Sequence, residues 1–171
     1  ENINTIFGVD ASIDLSITDP IPNLGDSTYD NIYEKGTQLT VMALSLQNSM
    51  NAVNASTDNS KDYFESISEE LEISYAALET AGLVDIESSE FISAVVENVT
   101  TKKASSISPD IKGNLKTAIS SVIPIIQVKS SSSTTTAIQN FGFDTLQKDI
   151  DSIAKGTASA EIIQNYTSDI L

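Results

Sequence analysis

Between Tyr29 and Val53 the apolar and small residues recur at spacings of three and four: Tyr29, Ile32, Gly36, Leu39, Ala43, Leu46, Met50 and Val53. That interval puts them on one stripe of a helix, predicted over 26–55. At 1.5 Å per residue such a helix reaches roughly 40 Å, and Gly36 and Ala43 in the stripe would let a partner helix approach closely. The methionine and tyrosines on this face read as core packing rather than a cofactor box.

The pattern continues in helical period. A second helix, expected over 58–81, buries Phe64, Ile67, Leu71, Tyr75 and Leu78, carries Asp62, Glu65, Glu69, Glu70 and Glu72 on its other sides, and stops at Gly82. "SSEFISAVVENV" predicts a third, capped by Ser88, with Phe91, Ile92, Val95, Val96 and Val99 inside. In "SISPDIKGNLKTAISSVIPIIQV" Ser108 caps a fourth and Pro109 takes its first position, where a missing N–H costs nothing. Ile111, Leu115, Ile119, Val122 and Ile123 form its buried stripe, and Pro124 kinks or ends it. The β-branched run "VIPIIQV" also reads as a strand, but a single strand has no ladder. "KSSSSTTT" (129–136) reads as a flexible surface connection or an irregular helix start. Ile138, Phe141, Leu146, Ile150 and Ile153 mark a fifth helix closing at Gly156, and Ile162, Ile163, Tyr166 and Ile170 a short last one.

Composition narrows what this helical chain can do. Its 171 residues, 40% hydrophobic, suit one domain with a real core. Twenty-four acidic against 9 basic residues give a formal charge of −15, with no histidine. Such a surface repels nucleic acid and anionic lipid, keeps the protein soluble and tolerates salt. The absence of cysteine removes disulfides, thiol chemistry and sulfur-ligated metals. No run of about 18 apolar residues exists to span a membrane. Residue 1 is Glu and no signal peptide opens the sequence, so a segment of something longer is expected.

Candidate chemistry is sparse. Without histidine the usual Ser/His and Cys/His nucleophilic arrangements cannot exist, and the seven glycines are too scattered to cradle phosphate. Asp62, Glu65 and Glu69 share a helix face, and paired carboxylates perform acid–base work in glycosidases. On a polar, solvated face, with no tryptophan to hold a sugar, they read as surface charge. The sequons at Asn54, Asn98 and Asn165 read as accidents of a Ser/Thr-rich chain.

"DASIDLSITDP", Asp10 to Pro20, admits three readings. As a calcium loop it offers Asp10, Ser12, Asp14 and Ser16 at alternate positions, but Leu15 stands where the turn needs Gly and Ile21 where a bidentate Glu belongs. A looser oxygen site built on Asp10, Asp14 and Asp19 remains the metal candidate. As a strand, Ile13, Leu15 and Ile17 would bury one side with nothing to pair against. As an extended lead-in, the same three residues pin an irregular segment to the helices, and "PIPN" keeps it non-helical until Asp26 or Ser27 caps the long helix.

"FGVDASIDLSITDPI", followed by a long helix rich in Ala, Gln, Asn and Leu, resembles a segment of helical modules in very large exported proteins of marine and other Gram-negative bacteria. The matching positions are Phe7, Gly8, Val9, Asp10, Asp14, Leu15, Thr18, Asp19, Pro20 and Ile21. The resemblance implies export and a structural or adhesive role beside immunoglobulin-like, cadherin-like or calcium-binding repeats, with no catalytic residues.

The expectation is therefore a single all-α domain over 1–171: an extended lead-in over 1–25, then a bundle of five or six helices over 26–171. The expected function is a non-catalytic structural or adhesive module of a secreted or cell-surface bacterial protein, without cofactor or catalytic residues, its partners the neighbouring domains of a larger chain. The alternative is a ligand-binding module, for calcium or an extended polysaccharide, acting through the Asp-rich turn or an inter-helix groove.

Overall fold

The computed structural model describes residues 3–54, 60–78, 82–103, 107–126 and 143–159, and over these the chain is all-α, with no strand among them. The α-helices are α1 (Ile3–Phe7), α2 (Ser27–Asn54), α3 (Ser60–Ala76), α4 (Ser89–Lys103), α5 (Pro109–Val122) and α6 (Phe143–Ala154). Single 3-10 turns occupy Ile21–Asn23 and Ile123–Ile125. The expected connection at 129–136, Ile138, Phe141 and the last helix with Ile162, Ile163, Tyr166 and Ile170 lie outside the described residues. No helix among the described residues is long and apolar enough to cross a membrane.

Helix limits follow local chemistry. Ser88 Oγ accepts the Phe91 N–H and Ser108 Oγ the Ile111 N–H, so both predicted caps act at the N-termini of α4 and α5. Asp26, rather than Ser27, caps α2 by accepting the Thr28 N–H at 2.9 Å. Pro124 converts the end of α5 into a 3-10 turn, because its ring removes a donor and crowds the preceding turn. At the end of α6, Gly156 adopts φ +71°, the Gly156 N–H reaches the Ile153 carbonyl and the Thr157 N–H the Ser152 carbonyl, the paired bonds that close a helix on a left-handed residue.

The five longer helices touch in a cycle, α2 to α3, α3 to α4, α4 to α5, α5 to α6 and α6 back to α2, with α2 also reaching α5. Inside lie Leu46, Met50, Ile67, Leu71, Ile92, Val95, Leu115, Ile119, Ile150 and Ile153. All five apolar positions predicted for α4 are buried, as are four of the five for α5, with Ile111 at the edge.

Two predicted faces are turned. On α2, Ala43, Leu46 and Met50 are buried as expected, but Tyr29, Ile32 and Leu39 are half-buried, and Gly36 is exposed with open space where a Cβ would stand. Its deep positions outside that stripe are Asp30, Gln38, Val41 and Met42, followed by Ser45 and Ser49. The cause is that α2 meets neighbours on several sides, so one narrow stripe cannot describe it. On α3, Tyr63 and Ser66 are buried with Ile67 and Leu71, whereas Phe64 is 40% exposed, about one residue of rotation from the predicted face. The helix ends at Ala76, before Gly82, and Leu78 lies beyond it in a turn closed by its own N–H on the Tyr75 carbonyl.

Candidate functional site

The amino-terminal segment is not extended. Phe7 ends α1, and Gly8 at φ +65° lets the Val9 N–H return to the Asn4 carbonyl at 2.8 Å. Two four-residue turns then follow in tandem, Asp-Ala-Ser-Ile and Asp-Leu-Ser-Ile. In each, the carboxylate accepts the N–H two residues on: Asp10 Oδ1 from Ser12 at 2.8 Å, Asp14 Oδ1 from Ser16 at 2.9 Å. In each, the isoleucine N–H also closes on the aspartate carbonyl, Ile13 to Asp10 and Ile17 to Asp14. Aspartate is suited to this because its short side chain reproduces a backbone turn. Asp19 does the same with the Ile21 N–H, at 3.0 Å. Buried Asn4 clamps the first turn from below, its Nδ2 donating to the carbonyls of Asp10 at 2.8 Å and Ile13 at 2.7 Å.

This geometry reinterprets the alternating oxygens. Their true period is four, one aspartate per turn, and each carboxylate is occupied by its own backbone. The Ser12 amide N–H, with its hydroxyl, lowers the Asp10 pKa, and the Ser16 hydroxyl, with its amide, lowers that of Asp14. Among the described residues no three Asp, Glu, His or Cys side chains gather where they could hold a metal ion. Asp10 alone of the three candidates lines the open hollow of about 620 Å³ beside the start of α2, with Thr5, Gly8, Val9, Ser27 and Thr28. Ile13 and Leu15 pack against the core as expected of a pinned segment, while Ile17 is 82% exposed and pins nothing.

A polar cluster centred on Gln38 is one the sequence did not announce. Gln38, fully buried in the middle of α2, donates from Nε2 to the Ile126 carbonyl at 2.8 Å, the Ile123 carbonyl at 3.3 Å and Glu87 Oε1 at 3.1 Å. Its Oε1 accepts from Lys35 Nζ at 3.2 Å, and Lys35 is itself 2.7 Å from Glu87 Oε1. Chemically this is a cross-link between α2, the approach to α4 and the end of α5. Past the break at Pro124 the Ile123 carbonyl accepts the Ile126 N–H of the 3-10 turn, and the amide of Gln38 adds a second donor there and one to the Ile126 carbonyl.

One glutamate of α3 and one of α4 pair with lysines on the next helix. Glu69 takes Lys102, whose hydrogen bond lowers its pKa, and Glu97 takes Lys112 at 2.8 Å with the same effect, with Lys116 at 3.5 Å beside it. Of the three carboxylates read as a possible acid–base group, Glu69 is thus held across to α4, while Glu65 faces solvent. Asp151 on α6 behaves oppositely: burial against α2 raises its pKa, against the Lys155 charge and a 3.4 Å bond from Ser49 Oγ. Its folded form therefore holds the proton more firmly than the unfolded chain, and its ionisation as pH rises detracts from stability.

No family model, curated protein or solved structure matched this chain. Of the sequons, Asn98 sits within α4 with its Oδ1 buried and Thr100 at 1% exposure, which is no presented loop for an acceptor. The side chain of Asn54, and Asn165 altogether, lie outside the described residues.

Proposed function

We propose that the chain is a non-catalytic structural or adhesive module, a single bundle of five or six helices, in a bacterial protein that is secreted or held at the cell surface. The observation that carries this reading is the direction of its polar groups. Lys35, Gln38 and Glu87 converge on one another, Gln38 also donates to the Ile123 and Ile126 carbonyls, and the carboxylates of Asp10, Asp14 and Asp19 close their own turns. An acid–base site keeps such groups available to a substrate, whereas here they fasten the chain to itself. The −15 surface and the lack of cysteine suit a soluble surface outside the reducing interior, and the "FGVD…TDPI" segment resembles helical modules of very large exported proteins. Neighbouring domains of a longer chain would be its first partners.

Location is the property to test. Antibody raised against the purified chain should label intact cells of the source bacterium, or its culture medium. Labelling that appears only after lysis would overturn the exported role.

A further inference from the structure

Between the end of α3 and the first turns of α4 runs a groove of about 320 Å³. Phe91 and Val84 are buried in its wall, and Leu78 and Leu83 stand at its mouth, 39% and 62% exposed. Leu83 is braced rather than loose. The Val84 N–H is bound to the Ile6 carbonyl at 3.2 Å, and the space over Gly8 is filled by the leucine, since a Cβ there would lie 3.1 Å from both Leu83 Cδ atoms. A leucine held in place while still facing water is a feature of a docking surface more than of a core. Its charged neighbours in the groove are Asp85 and Glu90, both acidic, and among the described residues no lysine or arginine lines it.

The charge selects the occupant. A second copy would oppose two chains of −15 and set one acidic rim against another, which like-charge repulsion disfavours. We infer that the groove docks an amphipathic, positively charged helix of another protein, aliphatic side chains entering between Leu78 and Leu83 and flanking lysines or arginines meeting Asp85 and Glu90. This inference does not rest on export of the chain.

The probe is a synthetic helical peptide of leucine and lysine, titrated calorimetrically beside a serine–lysine peptide of equal charge and a leucine–glutamate peptide. The leucine–lysine peptide should bind best. Leu83→Ser should weaken that binding about tenfold, the worth of a leucine returned to water, while Ile17→Ser, at a still more exposed aliphatic residue outside the groove, should leave it unchanged. Circular dichroism of each variant checks that the helices persist. Equal binding of the two lysine peptides, indifference to Leu83→Ser, or no binding at all would overturn the groove. Equal binding of the leucine–glutamate peptide would overturn the charge assignment. A wild-type dimer that Leu83→Ser dissociates in sedimentation would make the occupant a second copy and overturn the heterologous partner.

Discussion

Gln38 shows how one residue can settle a local conflict that no periodicity reveals. Proline at 124 forces the chain out of α5, and the amide of a buried glutamine on α2 takes up the carbonyls of Ile123 and Ile126. Gln38→Leu keeps the volume but removes the donor to the Ile126 carbonyl and one of the two to the Ile123 carbonyl, whose other is the Ile126 N–H, at a cost of about 1–3 kcal/mol. For a chain of this size each kcal/mol lowers the melting temperature by roughly 2–4 °C. Gln38→Glu should cost more than Gln38→Leu, because it turns a carboxylate toward two carbonyls and Glu87. Thermal melts of both variants check the order, and a leucine variant as stable as wild type would remove the role given to the amide. The site was invisible in the sequence because glutamine is a good helix former, and a search for apolar spacing passes over it.

At the scale of elements, what could be read in advance is what the chain decides locally. Ser88, Ser108 and Gly156 act through bonds to residues three to five away or beside them, and Pro109 through the donor it lacks, so α4, α5 and the end of α6 were legible. The facing of α2 and α3 depends on neighbours far along the chain and was not. In "KDYFESI" two aromatics are adjacent, and an apolar period fits with either inside. The tertiary contacts choose Tyr63, which is fully buried, over Phe64. Tyr63→Ala should therefore destabilise by about 3–5 kcal/mol, the range for emptying an aromatic site in a core, and Phe64→Ala by about 1 kcal/mol or less, as at a half-solvated position. Urea titrations of the pair decide this. Similar midpoints for the two would mean that α3 sits in the other rotation. The tandem Asp-x-Ser-Ile turns were misread for a related reason: a period of two in oxygen atoms and a period of four in turns coincide over so short a stretch, and only the hydrogen bonds tell them apart.

For the whole molecule the dominant quantity is charge, and it governs how calcium must act. A surface of −15 repels itself, so any salt that screens it raises stability somewhat, and a divalent cation will do so without binding anywhere in particular. A specific site needs six to eight oxygens converging on one ion. Asp10, Asp14 and Asp19 instead each hold a separate turn through Oδ1, and among the described residues no three carboxylates gather around one point. Millimolar calcium should then shift the melting temperature by the same amount as sodium chloride of equal ionic strength. Asp10→Asn/Asp14→Asn should show the same equality, with a slightly smaller response because two charges are gone. Occupancy of a real site at 100 times its dissociation constant would add about 2.7 kcal/mol, and with it a shift of several degrees. Such a calcium-specific shift in the wild type, lost in the double variant, would mean that the turns rearrange around an ion and that the amino-terminal segment is a binding site after all.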